Sequence, residues 1–260
     1  MFARAPHRAP RPNAFEPDAF EYVFVVTYGR SGSTLVQGLL NTLPHTLVRG
    51  ENNLYILGLF RAQALARTFK RKYEKFSEPP SSAFYGLREM DLAAFAESAG
   101  ELTTRQLLGS VPADRLRRIG FKEVLWHRIK PGETKSFFNF FEQAFPNAKY
   151  VLNQRDHEQV LGSGFWQKQD ADEGKQALLR VEEIQAFLRE TRPERTFDIR
   201  YEVLTGDDPA AAEAQLRGLA QFVTGSCDAA LLARLHETMK RGHGPNPFGK
   251  SRGRAKKVTS

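Results

Sequence analysis

Tyr22-Val-Phe-Val-Val-Thr27, Tyr28-Gly-Arg-Ser-Gly-Ser-Thr34 and Leu35-Val-Gln-Gly-Leu-Leu-Asn-Thr-Leu43 follow one another without interruption. The first piece is a short apolar run rich in β-branched and aromatic residues, which reads as a buried strand. The second holds two glycines and three Ser or Thr residues and reads as a tight loop. The third is apolar at positions 35, 36, 39, 40 and 43, the spacing of one helix face. Strand, glycine loop and helix start in that order make a phosphate cradle. Unpaired N–H groups at the helix N-terminus point at the anion, and the helix dipole favours its charge. Arg30 adds a fixed positive charge, and Ser31, Ser33 and Thr34 add hydroxyl donors.

The spacing excludes the commoner nucleotide loops. A triphosphate loop needs G-x-x-x-x-G-K-[ST]. Here Gly29 and Gly32 stand too close together, and no Lys precedes Ser33 or Thr34. The dinucleotide pattern G-x-G-x-x-G is absent as well. An atypical phosphate-loop kinase is therefore a weaker alternative.

Outward from the loop, apolar strands alternate with helix-period segments. Strands are expected at 46–51, 118–124, 148–153 and 195–201, and helices at 54–75, 134–145, 156–169, 172–190 and 209–222. Residues 88–110 read as two short helices, with Asp91 and Thr103 or Thr104 as caps. The Phe137, Phe138, Phe140, Phe141 and Phe145 stripe reads as core. This alternation predicts an α/β fold of three layers, with a central parallel sheet of about five strands and helices on both faces. A ligand belongs at the carboxyl ends of the strands. The organisation expected is a flexible basic, Pro-rich arm at 1–20, one domain at 21–240 with a helical cap at about 55–115 that shapes an acceptor site, and a basic tail at 241–260.

Composition narrows the partners. The chain has 260 residues, 41% of them hydrophobic, and a net charge of +8. Three of the positive charges lie in residues 1–13 and seven in 240–260, neither segment holding an acid, which leaves about −2 for the body. Nucleic-acid binding through the basic ends is thus an alternative function, and no specific nucleic-acid partner is expected. A lone cysteine, Cys227, rules out an intrachain disulfide. No stretch has the length and apolarity of a transmembrane helix, and the N-terminus lacks a signal-type apolar core, so a cytoplasmic location is expected. The six histidines show no metal-ligand spacing, and no metal is expected.

A second anion signal lies in Tyr150-Val-Leu-Asn-Gln-Arg155-Asp156, with Ser163 eight residues after Arg155. Arg155 follows a strand, Asp156 is a fitting N-cap, and Ser163 falls about two turns into the expected helix. An Arg fork and a hydroxyl suit a terminal phosphate.

Together these segments resemble the sulfotransferases that use 3′-phosphoadenosine 5′-phosphosulfate (PAPS). Thr27-Tyr-Gly-Arg-Ser-Gly-Ser-Thr34 is similar to their T-Y-P-K-S-G-T-T loop, with Gly29 for Pro and Arg30 for Lys. The R-S-G-S form is similar to carbohydrate sulfotransferases. Arg155 and Ser163 match the family's strand-Arg and helix-Ser spacing. Ile199-Arg-Tyr-Glu-Val-Leu204 with Asp207-Asp-Pro209 resembles its R-Y-E-D-L and D-P stretch, and Gly120-Phe-Lys-Glu123 its third strand.

The resemblance implies a phosphate-loop-like sulfotransferase fold and transfer of a sulfuryl group to a hydroxyl or amine of a glycan-like acceptor. Gly29, Arg30, Ser31, Gly32, Ser33 and Thr34 would hold the 5′-phosphosulfate, and Arg155 and Ser163 the 3′-phosphate. Arg30 would meet the charge of the leaving group, and Lys122 would contact the transferring sulfonate or pair with Glu123. Glu51 is the first candidate for the base, the alternative being a capping carboxylate. His127 is the second, by analogy with the branch acting on phenols and steroids. The acceptor itself and the oligomeric state are not written in the sequence.

Overall fold

The computed structural model describes residues 20–168 and 170–241. All five expected strands form: β1 Glu21–Val26, β2 Thr46–Arg49, β3 Arg118–Glu123, β4 Lys149–Gln154 and β5 Thr196–Arg200. Every pairing is parallel, in the order β2-β3-β1-β4-β5. The sheet therefore switches direction about β1, with β3 on one side of it and β4 on the other. In an open parallel sheet that is where a crevice opens above the carboxyl ends.

β1, at the centre, is apolar on both sides because both sides are covered. Tyr22, Phe24, Val26, Phe121, Tyr150 and Leu152 face one layer. This is built from α2 (Tyr55–Tyr73), α3 (Leu92–Leu108), α4 (Thr134–Ala144) and α6 (Ala171–Thr191). Val23, Val25, Val48, Val151 and Ile199 face the other. That layer is built from α1 (Ser33–Thr42), α8 (Pro209–Thr224) and α9 (Ala229–Arg241). The phenylalanines of α4 and its C-cap are core: Phe137, Phe138, Phe141 and Phe145 are fully buried. Phe24 meets the Phe121 and Phe141 rings with centres 4.7 Å away.

The two short helices expected over 88–110 are one: α3, preceded by a 3₁₀ turn at Leu87–Glu89. Asp91 caps it, accepting from the N–H groups of Ala93 and Ala94 at 3.0 Å. Thr103 and Thr104 are not caps. They lie buried inside α3 and donate to the carbonyls of Ala99 and Gly100, which satisfies their hydroxyls without breaking the helix. Within the expected cap, Phe60 of α2 and Ala96, Ala99 and Leu107 of α3 join the same core as the sheet. The helix expected at 156–169 is also shorter. α5 spans His157–Leu161, and a 3₁₀ segment covers Gly164–Lys168. Gly162 ends α5, and Gly164, at φ 64°, turns the chain away. A one-turn α7 (Tyr201–Thr205), which periodicity did not announce, follows β5. The expected arm and tail lie outside the described residues, apart from Phe20 and Arg241.

Candidate functional site

The loop after β1 is folded from within. Ser31 is fully buried. Its hydroxyl donates to the Tyr28 carbonyl at 2.7 Å and lies 2.7 Å from Thr27 Oγ1. Asn153 of β4 donates to Thr27 Oγ1 and to the Ser31 carbonyl, each at 3.1 Å. The Trp166 indole donates to the Gly29 carbonyl at 2.9 Å. The Ser31 side chain thus shapes the loop rather than facing the cleft. Arg30 and Gly32 take left-handed backbone conformations, φ 65° and 77°. At Gly32 the turn requires glycine, since a Cβ there would lie 2.1 Å from the Tyr201 ring.

The start of α1 is left open. Gly32 is its N-cap, no side chain caps it, and its first turn holds no acid. The orphan N–H groups of that turn and the positive end of the dipole therefore meet a cleft of about 600 Å³. Gly29, Arg30, Gly32, Ser33 and Thr34 line it from one side, and Glu51, Lys122, Arg155 and Tyr201 from the others. Strands far apart in sequence thus deliver every candidate except Ser31, Ser163 and His127 to its wall.

Arg155 is fixed before any ligand arrives. Tyr28 Oη donates to the Arg155 carbonyl at 2.8 Å and accepts from its N–H at 3.0 Å. Burial pushes the Tyr28 phenol up to about 12, so it stays protonated in these bonds. The guanidinium donates to the Arg30 carbonyl at 3.0 Å and to Gln159 Oε1 at 3.1 Å. Its carbon lies 4.4 Å from the Tyr201 ring centre, and its Nε is buried without a hydrogen-bond partner. Ser163 stands beyond the end of α5. Its hydroxyl donates to the Val160 carbonyl at 2.9 Å, and it does not line the cleft. The premature stop at Gly162 is the physical reason.

Across the cleft, Lys122 is almost wholly buried and its Nζ lies 2.5 Å from Glu51 Oε1, while Glu51 itself is half exposed. Lys122 does not pair with Glu123. Consecutive strand residues point to opposite faces of the sheet. Glu123 is fully buried and accepts four backbone N–H groups. Those of Val124 and Leu125 reach Oε1 at 2.7 and 3.1 Å, and those of Asn52 and Leu54 reach Oε2 at 3.0 and 2.8 Å. One carboxylate thereby holds together the loops after β2 and β3. The loop after β2 carries two successive left-handed residues, Asn53 at φ 63° and Leu54 at φ 49°. Such backbone persists only where the surroundings over-determine it.

His127 opens into a neighbouring cavity of about 390 Å³ that shares Gly29 and Val124 with the cleft. Its Nδ1 is buried without a hydrogen-bond partner. Burial, with help from Arg128, holds its pKa below the ordinary value of 6.5 and the ring neutral. On the other side, Arg155 also borders a cavity of about 560 Å³ lined by His157, Glu182, Arg200 and Glu202. No group of His, Cys, Asp and Glu among the described residues could hold a metal ion. No helix among them is long and apolar enough to cross a membrane.

Sequence reasoning gave no role to Tyr28, Tyr201 or Trp166, and saw Glu123 only as a possible partner of Lys122. Tyr28, Tyr201 and Glu123 all stand inside the motifs above. A Lys-Glu pair at the end of a strand, with opposite-face alternation, was the available signal for separating the roles of Lys122 and Glu123.

The parallel sheet, the uncapped helix start and the facing cations define an α/β enzyme of the phosphate-loop-like kind. The model of the sulfotransferase family matches residues 22–223, and the chain belongs to that family. Its chemistry is therefore sulfuryl transfer. Among solved structures, the chain is similar to sulfotransferase STF9 from Mycobacterium avium at 16% identity, over 86% of this chain and 68% of that one, with a TM-score of 0.48. It is similar to sulfotransferase STF1 from Mycobacterium tuberculosis H37Rv at 15% identity, over 86% and 77%, with a TM-score of 0.38. No curated protein matches it in sequence.

Proposed function

We propose that the chain transfers the sulfuryl group of PAPS to a hydroxyl or amine of a glycan-like acceptor. The observation that carries this reading is the convergence on one cleft of an uncapped helix start, Arg155 and the Lys122–Glu51 pair. A doubly anionic nucleotide needs two separated cationic sites, and an incoming hydroxyl needs a base on the opposite wall. The nucleotide supplies the sulfuryl group; the chain supplies position and charge.

The first-turn N–H groups of α1, with Ser33 and Thr34, hold the 5′-phosphate. Arg30 offsets charge on the leaving oxygen, a fixed cation that never acts as an acid. Arg155 holds the 3′-phosphate through the terminal N–H groups not used on the Arg30 carbonyl and Gln159, and Ser163 joins it only by turning its hydroxyl from the Val160 carbonyl. The nucleoside extends past Arg155 toward the His157 and Arg200 cavity. Lys122 neutralises the transferring group and holds the Glu51 carboxylate in place through their ion pair. Glu51, exposed on its other side, takes the acceptor proton.

Two measurements test the reading. Calorimetric titration with adenosine 3′,5′-bisphosphate should show saturable binding without added metal, and an acceptor panel with labelled donor should show transfer to polyhydroxyl compounds. Absence of bisphosphate binding would remove the donor assignment, and transfer confined to phenols would remove the glycan-like acceptor.

A further inference from the structure

The second half of α2 turns an apolar face outward. Among the described residues the exposed large hydrophobic side chains are Leu65, Phe69, Phe76, Tyr85 and Met90, with only Leu102 and Leu179 elsewhere. Leu65 is 74% and Tyr85 61% exposed. Leu65, Phe69, Tyr73 and Phe76 follow at helical spacing, so they share one side. The first half of α2 buries Ile56, Leu57 and Phe60 against the core instead. One helix thus carries two apolar faces, and only one is used by the fold.

This outer face is built rather than loose. The rings of Phe69 and Tyr73 lie 4.9 Å apart, and Tyr73 stacks on Phe84 at 4.4 Å. Lys70 Nζ donates to the carbonyls of Arg88 and Met90, tying the 84–90 segment to the helix. Cations rim the rings. Lys72 Nζ lies 4.9 Å from the Tyr73 centre and Lys75 Nζ 4.8 Å from that of Phe76, beside exposed Arg71. Along α2 the patch runs from about 15 Å (Leu65) to about 27 Å (Tyr73) from the helix end next to the Glu51 loop.

We propose that this patch docks the enzyme on an anionic lipid bilayer. Aromatic and aliphatic tips enter the headgroup–acyl boundary while Arg71, Lys72 and Lys75 stay level with the lipid phosphates. A polyanionic chain would meet the cations but leave Leu65, Phe69 and Met90 in water. A second copy would cover the apolar tips but bring two basic clusters into one contact. A bilayer of net negative charge satisfies both sets of groups. The inference stands whether or not the donor and acceptor assignments above hold.

Vesicle co-sedimentation of the full chain tests it, using phosphatidylcholine alone and phosphatidylcholine with about 30 mol% phosphatidylserine. The chain should partition to the anionic vesicles and be released as salt is raised. Phe69→Ser with Phe76→Ser should weaken partitioning about tenfold. Arg71→Glu with Lys75→Glu, at exposed positions that threaten no core, should abolish it at moderate salt. All variants carry the same basic termini, so a difference between them reports the patch. Partitioning equal to wild type in the charge-reversed variant would overturn the proposal, as would a concentration-dependent dimer that the serine variant dissolves. Binding to heparin without binding to vesicles would overturn it too.

Discussion

The guanidinium carbon of Arg155 lies 4.4 Å from the centre of the Tyr201 ring, and that same ring fills the space over Gly32. Two motifs more than 120 residues apart in the chain are thereby set at a fixed separation by one aromatic side chain. A cation held in place before binding loses little freedom on meeting an anion.

Arg155→Ala should weaken adenosine 3′,5′-bisphosphate binding by about 1.5–3 kcal/mol, roughly ten- to a hundredfold, as expected for a hydrogen bond to a charged group. Tyr201→Ala, which leaves the charge but removes its support, should cost less, about threefold to tenfold. Titration calorimetry reads both. Unchanged affinity in the first variant refutes the 3′-phosphate assignment, and in the second the orienting role of the ring.

Gly32→Ala should destabilise the fold by about 1–3 kcal/mol through backbone strain at positive φ and collision with Tyr201. Combining it with Tyr201→Ala should recover the collision and leave the strain, about 1 kcal/mol. Thermal or urea unfolding of the three variants separates the two contributions. A double variant no better than Gly32→Ala alone shows that the ring is not the obstacle.

Glu123→Gln keeps the shape but replaces one acceptor oxygen by an NH2 aimed at the two backbone N–H groups that oxygen served. The expected loss is about 2–3 kcal/mol of stability. The effect on function should be lopsided: turnover falls as the Glu51 loop loosens, while bisphosphate affinity stays within about twofold, because the α1 side of the cleft is untouched. Equal losses in both would point to general unfolding.

Glu51→Gln should reduce turnover by about 10²- to 10⁴-fold, the usual span for removing a general base, with bisphosphate affinity kept. Full activity in this variant would transfer the role to His127.

His127 sets a pH dependence of stability. Its folded pKa lies below 6.5, so as pH falls the unfolded chain takes up this proton first. The state binding more protons gains, so stability declines on acidification through about pH 6.5 and levels off below the folded pKa. His127→Gln should remove this component. Comparing denaturation midpoints of both proteins at about pH 7.5 and about pH 5 checks it, since a wild type that loses no more than the variant contradicts the assignment.

The strands were legible because each is short and carries apolar residues between turn segments; their ends fall within two residues of the expected ones. Their order was not, since nothing local in β1 says that β3 and β4 flank it. The loop residues from Gly29 to Thr34 were legible as a unit, but the inward turn of Ser31 depends on Thr27 and Asn153, and Asn153 is 122 residues away. Ser163 failed for a local reason: glycines at 162 and 164 stop a helix that its polar pattern would otherwise extend. Glu123 was hidden by its neighbour, since a Lys beside a Glu invites pairing that the pleat of a strand forbids.

Glu123 has one more consequence. Its four N–H partners come from two loops, and among the described residues no salt bridge involves it, so neither loop can open alone without breaking two of these bonds. Releasing one pair of these charge-assisted bonds costs on the order of 3–6 kcal/mol. The wall carrying Glu51 should therefore keep its shape as ligands come and go.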